Sequence, residues 1–516
     1  MMPGCTTPVR QALLCSLAVL LPLSLLPFCT VVDSWFCSDD CVLVHRAATE
    51  GMFCSWAEDT GGFLRPVTAA TFLTDHAVWG LRPLGFHLTN ILFHWLASCA
   101  VFLMTFMILR ERGVEEAMQP AVLTGALFAV LPSHSEAVSW ISGRGDVIAG
   151  ALALFSLAAF MLLLRRPSLL LAAASLALYA AASLSKESAL TLPLVWLAAY
   201  AGSRRAGRPR PSRTSRTVLL LSLPCLAGLA AARWMVLGTP VGGLGASRHL
   251  SILSTGTLEN LARAVIRVML PPIRPDSLAT VIPAAALVLV LIWSTLGRRR
   301  AATGIGGLPL GLLAAAFLAA LLPVLTLPVS VTGTDSERFL YLPGAFEVIA
   351  LGSMSAVTPR RILGRTLMLL LVLVSAVSLV RVNSAWRTAG KMSRSIAVSL
   401  SGEDPSSVVV LNLPDSYRGA YVMRNGAGEA AALAAGTTAV PDFRVLCIHT
   451  VDDPAGAVSA RREGERMLLE LPGGWEVLRA DTEPGSAGQG AGPLRFRDPG
   501  AVRVLWWNGA GMAVLD

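Results

Sequence analysis

Charged side chains are scarce in this chain of 516 residues. They make up 15% of the sequence, whereas soluble domains carry about 25%, and lysine occurs only at Lys186 and Lys391. This composition excludes an ordinary soluble domain. Hydrophobic residues account for 54% of the chain and its mean hydropathy is +0.62, so the sequence predicts a polytopic membrane protein. In such a chain the net charge of +9 is interpreted from its placement in loops, and it does not indicate a nucleic-acid partner.

Nucleotide-binding motifs and long internal repeats are also missing. The chain has neither a P-loop nor a G-x-G-x-x-G stretch, whose backbone amides would hold the phosphates of a nucleotide. It has no repeat with a period of 20 to 50 residues, which excludes solenoids and propellers. If the chain is an enzyme, we expect its substrate to be activated by something other than a nucleotide.

Apolar runs of about 20 residues, long enough to cross a bilayer, recur along the chain. They lie near 11–32, 87–109, 118–132, 146–164, 168–184, 187–203, 217–236, 279–297, 305–328, 343–358 and 366–382. With the N-terminus inside, every inner loop carries an arginine cluster, as the positive-inside rule requires. The clusters are Arg110–Arg112, Arg165–Arg166, 204–216, Arg298–Arg300 and Arg360–Arg365. This alternation predicts about eleven spans, with the N-terminus inside and the C-terminus outside.

The first apolar run has two interpretations. Its basic start and short apolar core fit a cleaved signal peptide. No small-x-small cleavage site stands out before Asp33, so a retained span is favoured. Both interpretations place the acid pair Asp39 and Asp40 on the outer side of the membrane.

The sequence changes character after Arg381. Residues 383–516 contain Gly, Pro and short apolar runs such as SSVVVLNLP and FRVLCIHTV, a pattern typical of strands separated by turns. Helical stretches are predicted near 387–400 and 426–435. We therefore predict a membrane domain over residues 1–382 and a small extracytoplasmic α+β domain over residues 383–516.

Polar residues gather in five stretches that fall on the same side of the predicted membrane. These are SDD (38–40), FLRPVTAATFLTDH (63–76) with RPLGFHLTNILFH (82–94), PSHSEAVSWISGRGD (132–146), SKES (185–188) and TDSERFLYLP (334–343). Separate loops that converge on one face are typical of a shared site.

Each of these polar residues also has a structural explanation. The acid pair would cap the helix that follows it, because Asp is favoured at helix N-caps. His87, Asn90 and His94 share one helix face and would form interhelical hydrogen bonds. The remaining groups would form ion pairs or extend from a span end to the interface; they are Arg144 with Asp146, Glu337 with Arg338, and Lys186.

Together the residue types indicate a chemical task. Four cations near the outer surface suit a phosphate or pyrophosphate headgroup; they are Arg65, Arg144, Lys186 and Arg338. The acid pair supplies a carboxylate that would deprotonate a hydroxyl acceptor. A base, a phosphate clamp and access to lipid indicate group transfer from a lipid-linked phosphate donor.

Three cysteines, Cys37, Cys41 and Cys54, lie in the first outer loop. That side of the membrane is oxidising in most cells, so a Cys37–Cys54 or a Cys41–Cys54 disulfide would fit. The stretch CSDDC is weak as a metal site, because a single Cys-x₃-Cys has no partner pair. No metal site is predicted, and a need for a divalent metal is left open.

The order of SDD, LRP…RPLGFHLTNILFH, PSHSEAVSWISGRGD, SKESALTLPLV and SERFLYLP resembles the membrane region of the transmembrane and tetratricopeptide-repeat O-mannosyltransferases and their bacterial relatives. These belong to the GT-C glycosyltransferases. The resemblance runs over roughly residues 30–390, and the stretches H-x-E-A-V-x-W-I-x-G-R-x-D and S-K-E are its most specific parts. The chain departs from the family in lacking the tetratricopeptide repeats, which puts protein acceptors in doubt.

The resemblance implies a GT-C fold with the active site at the outer leaflet and a polyprenyl-phosphate sugar as donor. The sugar would pass to a hydroxyl acceptor with inversion, and the acceptor itself stays unknown. Asp39 or Asp40 would be the base, with Asp40 slightly favoured. The family's phosphate-binding positions match Arg144, Lys186 and Arg338. Further candidate site residues are His87, His94, His134, Glu136, Asp146, Glu187, Glu337 and Tyr341.

Two other functions fit a chain of this kind. One is a transporter or flippase for a lipid-linked glycan, which would need polar groups through the depth of the membrane. The other is an assembly factor whose C-terminal domain binds wall polymers, with WWNG (506–509) as aromatic surface for a sugar. The arginine bias with abundant Ala and Leu is associated with bacterial genomes, so we expect a bacterial cytoplasmic membrane.

Overall fold

The computed structural model describes residues 7–50, 63–204, 211–238, 254–296, 310–358, 360–451, 458–471, 474–478, 489–497 and 502–515. Each of the eleven predicted apolar runs overlaps a helix. In the described ranges, seven helices are long and apolar enough to cross a membrane, or eight if one bent pair is a single span. The count of about eleven spans and their orientation stay predictions.

The helices of the described residues follow in chain order. They are α1 (Thr7–Cys15), α2 (Leu21–Leu25), α3 (Asp39–Thr49), α4 (Pro66–Trp79), α5 (Pro83–Glu111), α6 (Met118–Ala129), α7 (Ser135–Ser139), α8 (Arg144–Leu163), α9 (Leu169–Ser183), α10 (Leu192–Ser203), α11 (Arg213–Leu237), α12 (Thr255–Met269), α13 (Leu278–Leu296), α14 (Leu310–Leu321), α15 (Tyr341–Ala356), α16 (Arg361–Leu400) and α17 (Ala427–Ala435). A π-helical turn, Ser16–Leu20, joins α1 to α2.

Proline and glycine set the limits of the helices around the polar stretches. Pro83 lies in the first turn of α5, where its missing N–H is not needed. Gly113 has a φ of 72° just after α5 and ends it in the left-handed region. Pro132 follows α6, and the chain bends by 49° before α7. The bend places 132–146 as a folded loop rather than as part of a straight span.

Two short helices, α4 and α12, were missed because they fall in predicted outer loops, whereas α3 was considered as the helix that follows the acid pair. α3, α4 and α12 have 11, 14 and 15 residues, which is too short for an upright span. In α3 the N-cap residue is Ser38, and Asp39 and Asp40 occupy the first turn. The structural explanation for the acid pair was therefore wrong in detail: neither aspartate is the N-cap, although both are favoured there by the helix dipole.

The longest helix, α16, has 40 residues and runs through the predicted domain boundary at 382/383. About 20 residues suffice to cross the hydrocarbon core, so its second half extends past a span of ordinary length. The separate helix predicted near 387–400 is this second half. The first strand begins only at Val408, and the division into two domains stays a prediction.

The described part of the C-terminal region forms two sheets. Its strands are β1 (Val408–Tyr417), β2 (Ala420–Tyr421), β3 (Arg444–Val451), β4 (Ser459–Glu463), β5 (Arg466–Glu470), β6 (Gly474–Val477), β7 (Gln489–Ala491), β8 (Leu494–Arg497), β9 (Arg503–Trp507) and β10 (Met512–Val514). The larger sheet has the order β10-β9-β1-β3-β6-β7, and the smaller has the order β4-β5-β8.

β1 is the central strand of the larger sheet. It runs parallel to β3 on one side and to β9 on the other, and β2 pairs with its end in an antiparallel hairpin. All ten residues of β1 are buried, as expected for a strand covered on both faces. α17 lies between β1 and β3 in the chain and supplies the crossover that parallel strands need. The predicted α+β character of this region is confirmed.

The C-terminal region packs against α3 and the segment before α13. His45 Nε2 of α3 hydrogen-bonds the Thr438 carbonyl at 3.1 Å. Arg418 Nη1 donates to Asp276 Oδ2 at 2.8 Å. Ser38 N–H donates to the Val422 carbonyl at 3.0 Å, so the residues after β2 lie beside the SDD stretch, although some 380 residues separate them in sequence.

Candidate active site

Asp40 joins the start of α3 to the loop 132–146. Its Oδ1 accepts hydrogen bonds from the N–H and the hydroxyl of Ser142, at 2.7 and 2.5 Å, and its Oδ2 accepts from Cys37 N–H at 3.0 Å. The residue is 2% exposed. Burial raises the pKa of Asp40 to about 7, while these hydrogen bonds act in the opposite direction. Both carboxylate oxygens are thus engaged in holding two loops together.

Asp39 has a different environment from its neighbour. It is partly exposed, and Asn425 Nδ2 donates to its Oδ1. Ser38 donates its hydroxyl to Asn425 Oδ1 at 2.7 Å and its N–H to the Val422 carbonyl at 3.0 Å. A carboxylate has about four lone-pair positions. Among the described residues, Asp39 accepts one side-chain hydrogen bond and Asp40 accepts three hydrogen bonds, so Asp39 keeps more acceptor capacity than Asp40.

The loop 132–146 is held in shape by hydrogen bonds to neighbouring segments and by close packing against its own backbone. Asn90 Nδ2 of α5 donates to the Trp140 carbonyl at 3.1 Å. Trp140 Nε1 donates to the Cys37 carbonyl at 3.2 Å. Gly143 lies so close to the loop that a Cβ there would be 2.7 Å from the Ala137 carbonyl oxygen. The glycine of the ISGR stretch is therefore required for the fold-back that brings Ser142 to Asp40.

Two cations meet at one carboxylate beside this loop. Lys186 Nζ donates to Asp146 Oδ2, and Arg338 Nε lies 4.0 Å from the same oxygen. Arg338 Nη1 also donates to Glu136 Oε1 and, at 3.1 Å, to the hydroxyl of Tyr421. The Lys186 and Arg338 side chains are 10% and 19% exposed, so a small part of each reaches the protein surface.

Arg65 adds a third cation to this group. Its Nη2 donates to Glu187 Oε2 at 2.7 Å, and its side chain is 27% exposed. Burial lowers the pKa of Lys186 to about 8; Asp146 opposes this change, and the positive charges of Arg65 and Arg338 add to it. The three cations would attract an added anion, although each already pairs with a carboxylate, that of Asp146, Glu136 or Glu187. We call Lys186, Arg338 and Arg65 the cation cluster.

Arg144 forms a buried ion pair and is not part of the cation cluster. Its side chain is fully buried, Nη1 donates to Asp75 Oδ2 at 2.7 Å, and Nη2 donates to the Phe86 carbonyl at 2.9 Å. The guanidinium also lies 4.0 Å from the centroid of the Phe72 ring. This geometry fits the structural ion pair considered for Arg144, but with Asp75 as partner in place of Asp146. Its contact with a donor phosphate stays a prediction.

Glu136 and Glu337 join the loop 132–146 to the stretch 334–343. Glu136 Oε2 accepts from Arg338 N–H at 2.9 Å, and Glu136 N–H donates to Glu337 Oε1 at 3.1 Å. Glu337 Oε2 accepts from Arg267 Nη2 at 2.6 Å. Both glutamates are fully buried. They orient Arg338, and the partner of Glu337 is Arg267 rather than the neighbouring arginine.

The histidines and Tyr341 lie in the packed interior. His94 Nδ1 hydrogen-bonds the Tyr341 hydroxyl at 2.9 Å, and His134 packs edge-on against Phe128 with ring centroids 4.4 Å apart. His87 Nε2 hydrogen-bonds a backbone carbonyl at 3.2 Å. All three histidines are buried. These contacts fit the interhelical hydrogen bonds considered for this helix face more closely than a role in binding substrate.

Several residues of the site were missed by the sequence reasoning. They are Asp75, Arg233, Arg267, Asp335, Tyr421 and Asn425. Arg233 interrupts the apolar run 217–236, a signal that indicates a functional or paired charge, and its Nη1 donates to Glu187 Oε1 at 3.0 Å. Burial raises the pKa of Asp335 to about 7, and the charge of Glu136 adds to this effect. Tyr421 and Asn425 lie in the C-terminal region and carry no such signal.

Two further predictions concern cysteines and metals. Cys37 and Cys41 are buried thiols near the SDD stretch, while Cys54 lies outside the described residues, so neither predicted disulfide is tested. Among the residues that the structure describes, no group of three or more His, Cys, Asp or Glu side chains could hold a metal ion.

The helical region, with its bent loops and strand-rich C-terminal part, has a GT-C-like fold. In overall structure it is similar to ArnT from Cupriavidus metallidurans in the apo state, with a TM-score of 0.50 and 12% identity over 85% of this chain and 86% of ArnT. A structure of the same protein bound to undecaprenyl phosphate gives a TM-score of 0.49 and 13% identity over 83% of this chain and 89% of ArnT. At such identities the likeness concerns the fold alone.

In sequence, the chain is similar to transmembrane O-mannosyltransferases. It is 37% identical over 138 residues to protein O-mannosyl-transferase Tmtc1 of Drosophila melanogaster, which is 26% of this chain and 15% of that protein. It is 33% identical over 97 residues to human TMTC3, covering 19% of this chain and 10% of TMTC3. No protein-family model matches the chain. The resemblance inferred from the motifs is confirmed, and it spans a small part of the relatives' length.

Proposed function

We propose that this chain is a membrane glycosyltransferase that moves a sugar, mannose or another hexose or pentose, from a polyprenyl-phosphate donor to a hydroxyl acceptor. The observation that supports this most is the cation cluster. Lys186 and Arg338 converge on Asp146, a small part of each side chain is exposed, and a loop bearing two aspartates lies next to them. A lipid phosphate would add the negative charge that these cations favour.

In the proposed reaction the acceptor hydroxyl attacks the anomeric carbon of the sugar. A new carbon–oxygen bond forms, and the bond from that carbon to the phosphate oxygen breaks, with inversion. The hydroxyl proton passes to a carboxylate. The electron pair of the broken bond leaves on the lipid phosphate, and Lys186 and Arg338 stabilise its developing charge.

We assign the base to Asp39, in place of the slight preference for Asp40 drawn from the sequence. Asp40 is buried and its oxygens already accept three hydrogen bonds from Ser142 and Cys37. Asp39 is partly exposed and keeps acceptor capacity. A base must reach the proton of an incoming hydroxyl, so Asp40 supports the loop while Asp39 acts on the acceptor.

We place this site at the outer face of a bacterial cytoplasmic membrane. The arginine-rich loops alternate with the loops that carry the site, which supports an outer position. The arginine-rich, lysine-poor composition supports a bacterial membrane. The likeness to proteins named O-mannosyl-transferases supports mannose as the first sugar to test.

The donor side is tested by titrating a short-chain polyprenyl phosphate into the purified protein in detergent, followed by calorimetry. Lys186→Gln and Arg338→Gln each remove one charge from the cluster, and we expect the Kd to rise about tenfold or more, which corresponds to about 1.4 kcal/mol. Lys186→Arg keeps the charge and should bind more tightly than Lys186→Gln.

The matched control is Arg263→Gln, which removes a partly exposed arginine paired with Glu259 on α12. We expect its Kd to equal that of the unmodified chain. Equal Kd values for Lys186→Gln, Arg338→Gln and the control would contradict the assignment of the cation cluster to the donor phosphate.

A further inference from the structure

The segment 421–425 of the C-terminal region is held firmly in place. Arg424 forms a two-pronged ion pair with Asp415, with Nε and Nη2 at 2.6 and 2.9 Å from its two oxygens. Val422 N–H donates to the Asp415 carbonyl at 2.9 Å, and Met423 N–H donates to the Pro414 carbonyl at 3.0 Å. Because Asp415 belongs to the central strand β1, this segment is anchored to the core of the sheet.

The same segment makes specific polar contacts with the proposed active site. Asn425 lies between Ser38 and Asp39. Its side-chain oxygen Oδ1 accepts a hydrogen bond from the Ser38 hydroxyl, and its side-chain nitrogen Nδ2 donates one to the Asp39 carboxylate. The carboxylate requires a donor, which fixes the orientation of the amide group. Four residues earlier, Tyr421 accepts a hydrogen bond from Arg338 of the cation cluster.

The hydrogen bond from Asn425 acts directly on the carboxylate of Asp39, the proposed base. A hydrogen bond from an amide donor favours the ionised form of a carboxylate and fixes which lone pairs stay available. The Ser38 contact, at the other end of the same amide, fixes the backbone that carries Asp39. One side chain thus sets the position of the carboxylate.

We infer that Asn425 is a positioning residue for the reaction, acting through Asp39, and that the C-terminal region is a working part of the catalytic centre. This inference rests on the proposed function. A region that served only for targeting or attachment would have no need of an amide aimed at the carboxylate. The two roles differ in what they predict for the pH dependence of the reaction.

The test is Asn425→Asp in the full-length chain. The new side chain has nearly the same shape and can still accept the Ser38 hydroxyl, but it places an oxygen where the amide donor faced Asp39. Two adjacent carboxylates favour retention of a proton by one of them. The acid limb of the pH–rate profile, where activity falls as pH decreases, should therefore move to higher pH by about one unit.

The assay measures transfer of label from polyprenyl-phosphate [³H]mannose to the acceptors of membranes that contain the protein, from pH 4.5 to 9. Gln119→Glu is the matched control, because it likewise turns an amide into a carboxylate, at an exposed position in the first turn of α6. Its profile should match the unmodified chain. Asn425→Ala should lower the plateau rate about tenfold.

The outcomes separate the inference from the proposed function. If the unmodified chain transfers sugar and the acid limb of Asn425→Asp coincides with that of Gln119→Glu, the positioning role is overturned, even if the plateau falls, because a merely structural loss lowers the plateau without moving the limb. If the unmodified chain transfers no label from a mannose donor, another hexose donor or a pentose donor, the proposed function fails.

Discussion

Ser38 connects two parts of the chain that are far apart in sequence. Its backbone has a φ of 52° and a ψ of −120°, a conformation that a residue with a side chain adopts only at a cost of about 1–3 kcal/mol. The hydrogen bonds to Val422 and Asn425 hold it there. This strained turn directs Asp39 toward the C-terminal region and Asp40 toward Ser142, so the two acids separate into different roles.

Asp335 gives the stability of the protein a specific dependence on pH. Its pKa is about 7 in the folded chain, mainly because of burial, and about 3.9 in an unfolded one. Between these values the folded state binds more protons, so the contribution of Asp335 to stability is present below about pH 4 and is lost as pH rises through about 7. Asp335→Asn stays neutral, and its thermal unfolding midpoint in detergent should fall less between pH 5 and pH 8.

The control for Asp335 is Glu465→Gln, which neutralises an exposed acid in the turn between β4 and β5. It should leave the pH dependence of the midpoint unchanged. A midpoint of Asp335→Asn that falls between pH 5 and pH 8 as steeply as that of the unmodified chain would contradict a raised pKa at this position.

The helix α12 carries two arginines four residues apart that have opposite surroundings. Arg267 is fully buried and paired with buried Glu337, whereas Arg263 is paired with exposed Glu259. Removing one partner of a buried pair leaves an uncompensated charge, which costs about 3–5 kcal/mol. An exposed pair on a helix contributes about 0.3–0.5 kcal/mol.

We therefore predict that Arg267→Met lowers the free energy of unfolding by about 3–5 kcal/mol. Arg263→Met, the matched change on the same helix, should lower it by no more than about 0.5 kcal/mol. Unfolding by denaturant in detergent, followed by tryptophan fluorescence, measures both. Similar losses for the two variants would show that the Arg267–Glu337 pair does not hold the stretch 334–343 in place.

The helices show which elements can be predicted from the sequence and which cannot. Apolar length and hydrophobicity predicted each helix of the described residues that is long and apolar enough to cross a membrane, because these properties act locally along one segment. The short helices α4 and α12 were missed since their formation depends on packing against other parts of the chain. The continuity of α16 was missed for the same reason: its polar second half resembles the start of a separate domain.

The site shows the same contrast between features that local sequence predicts and contacts that depend on three-dimensional packing. The prediction that the polar stretches lie close together holds for SDD and 132–146, which are in contact through Asp40 and Ser142. It did not give the partner of each charge. Arg144 pairs with Asp75, and Asp39 meets Asn425 nearly 390 residues later. Such partners depend on three-dimensional position, which no spacing along the chain records.

For the whole molecule, the C-terminal region and the helical region meet at the proposed site. Tyr421 of the C-terminal region contacts Arg338 of the cation cluster, and Asn425 contacts the acid pair. In the proposed reaction, the relative position of the two regions would matter for catalysis, since a displacement of about 1 Å can cost about 100-fold in rate. Acceptor, donor phosphate and base would then be brought together by parts of the chain that are predicted from the sequence to be separate membrane and extracytoplasmic segments.

The central claim, transfer of a sugar from a lipid phosphate with Asp39 as base, is tested by one comparison. The purified chain and its Asp39→Asn variant are reconstituted in liposomes with polyprenyl-phosphate [³H]mannose and membrane-derived acceptors, and the label joined to acceptor is counted. We predict transfer by the unmodified chain and a loss of about 10²–10⁴-fold in the folded variant, the range expected for removal of a general base. Equal transfer by the two proteins, or movement of the intact donor across the bilayer without transfer of its sugar, would contradict the claim.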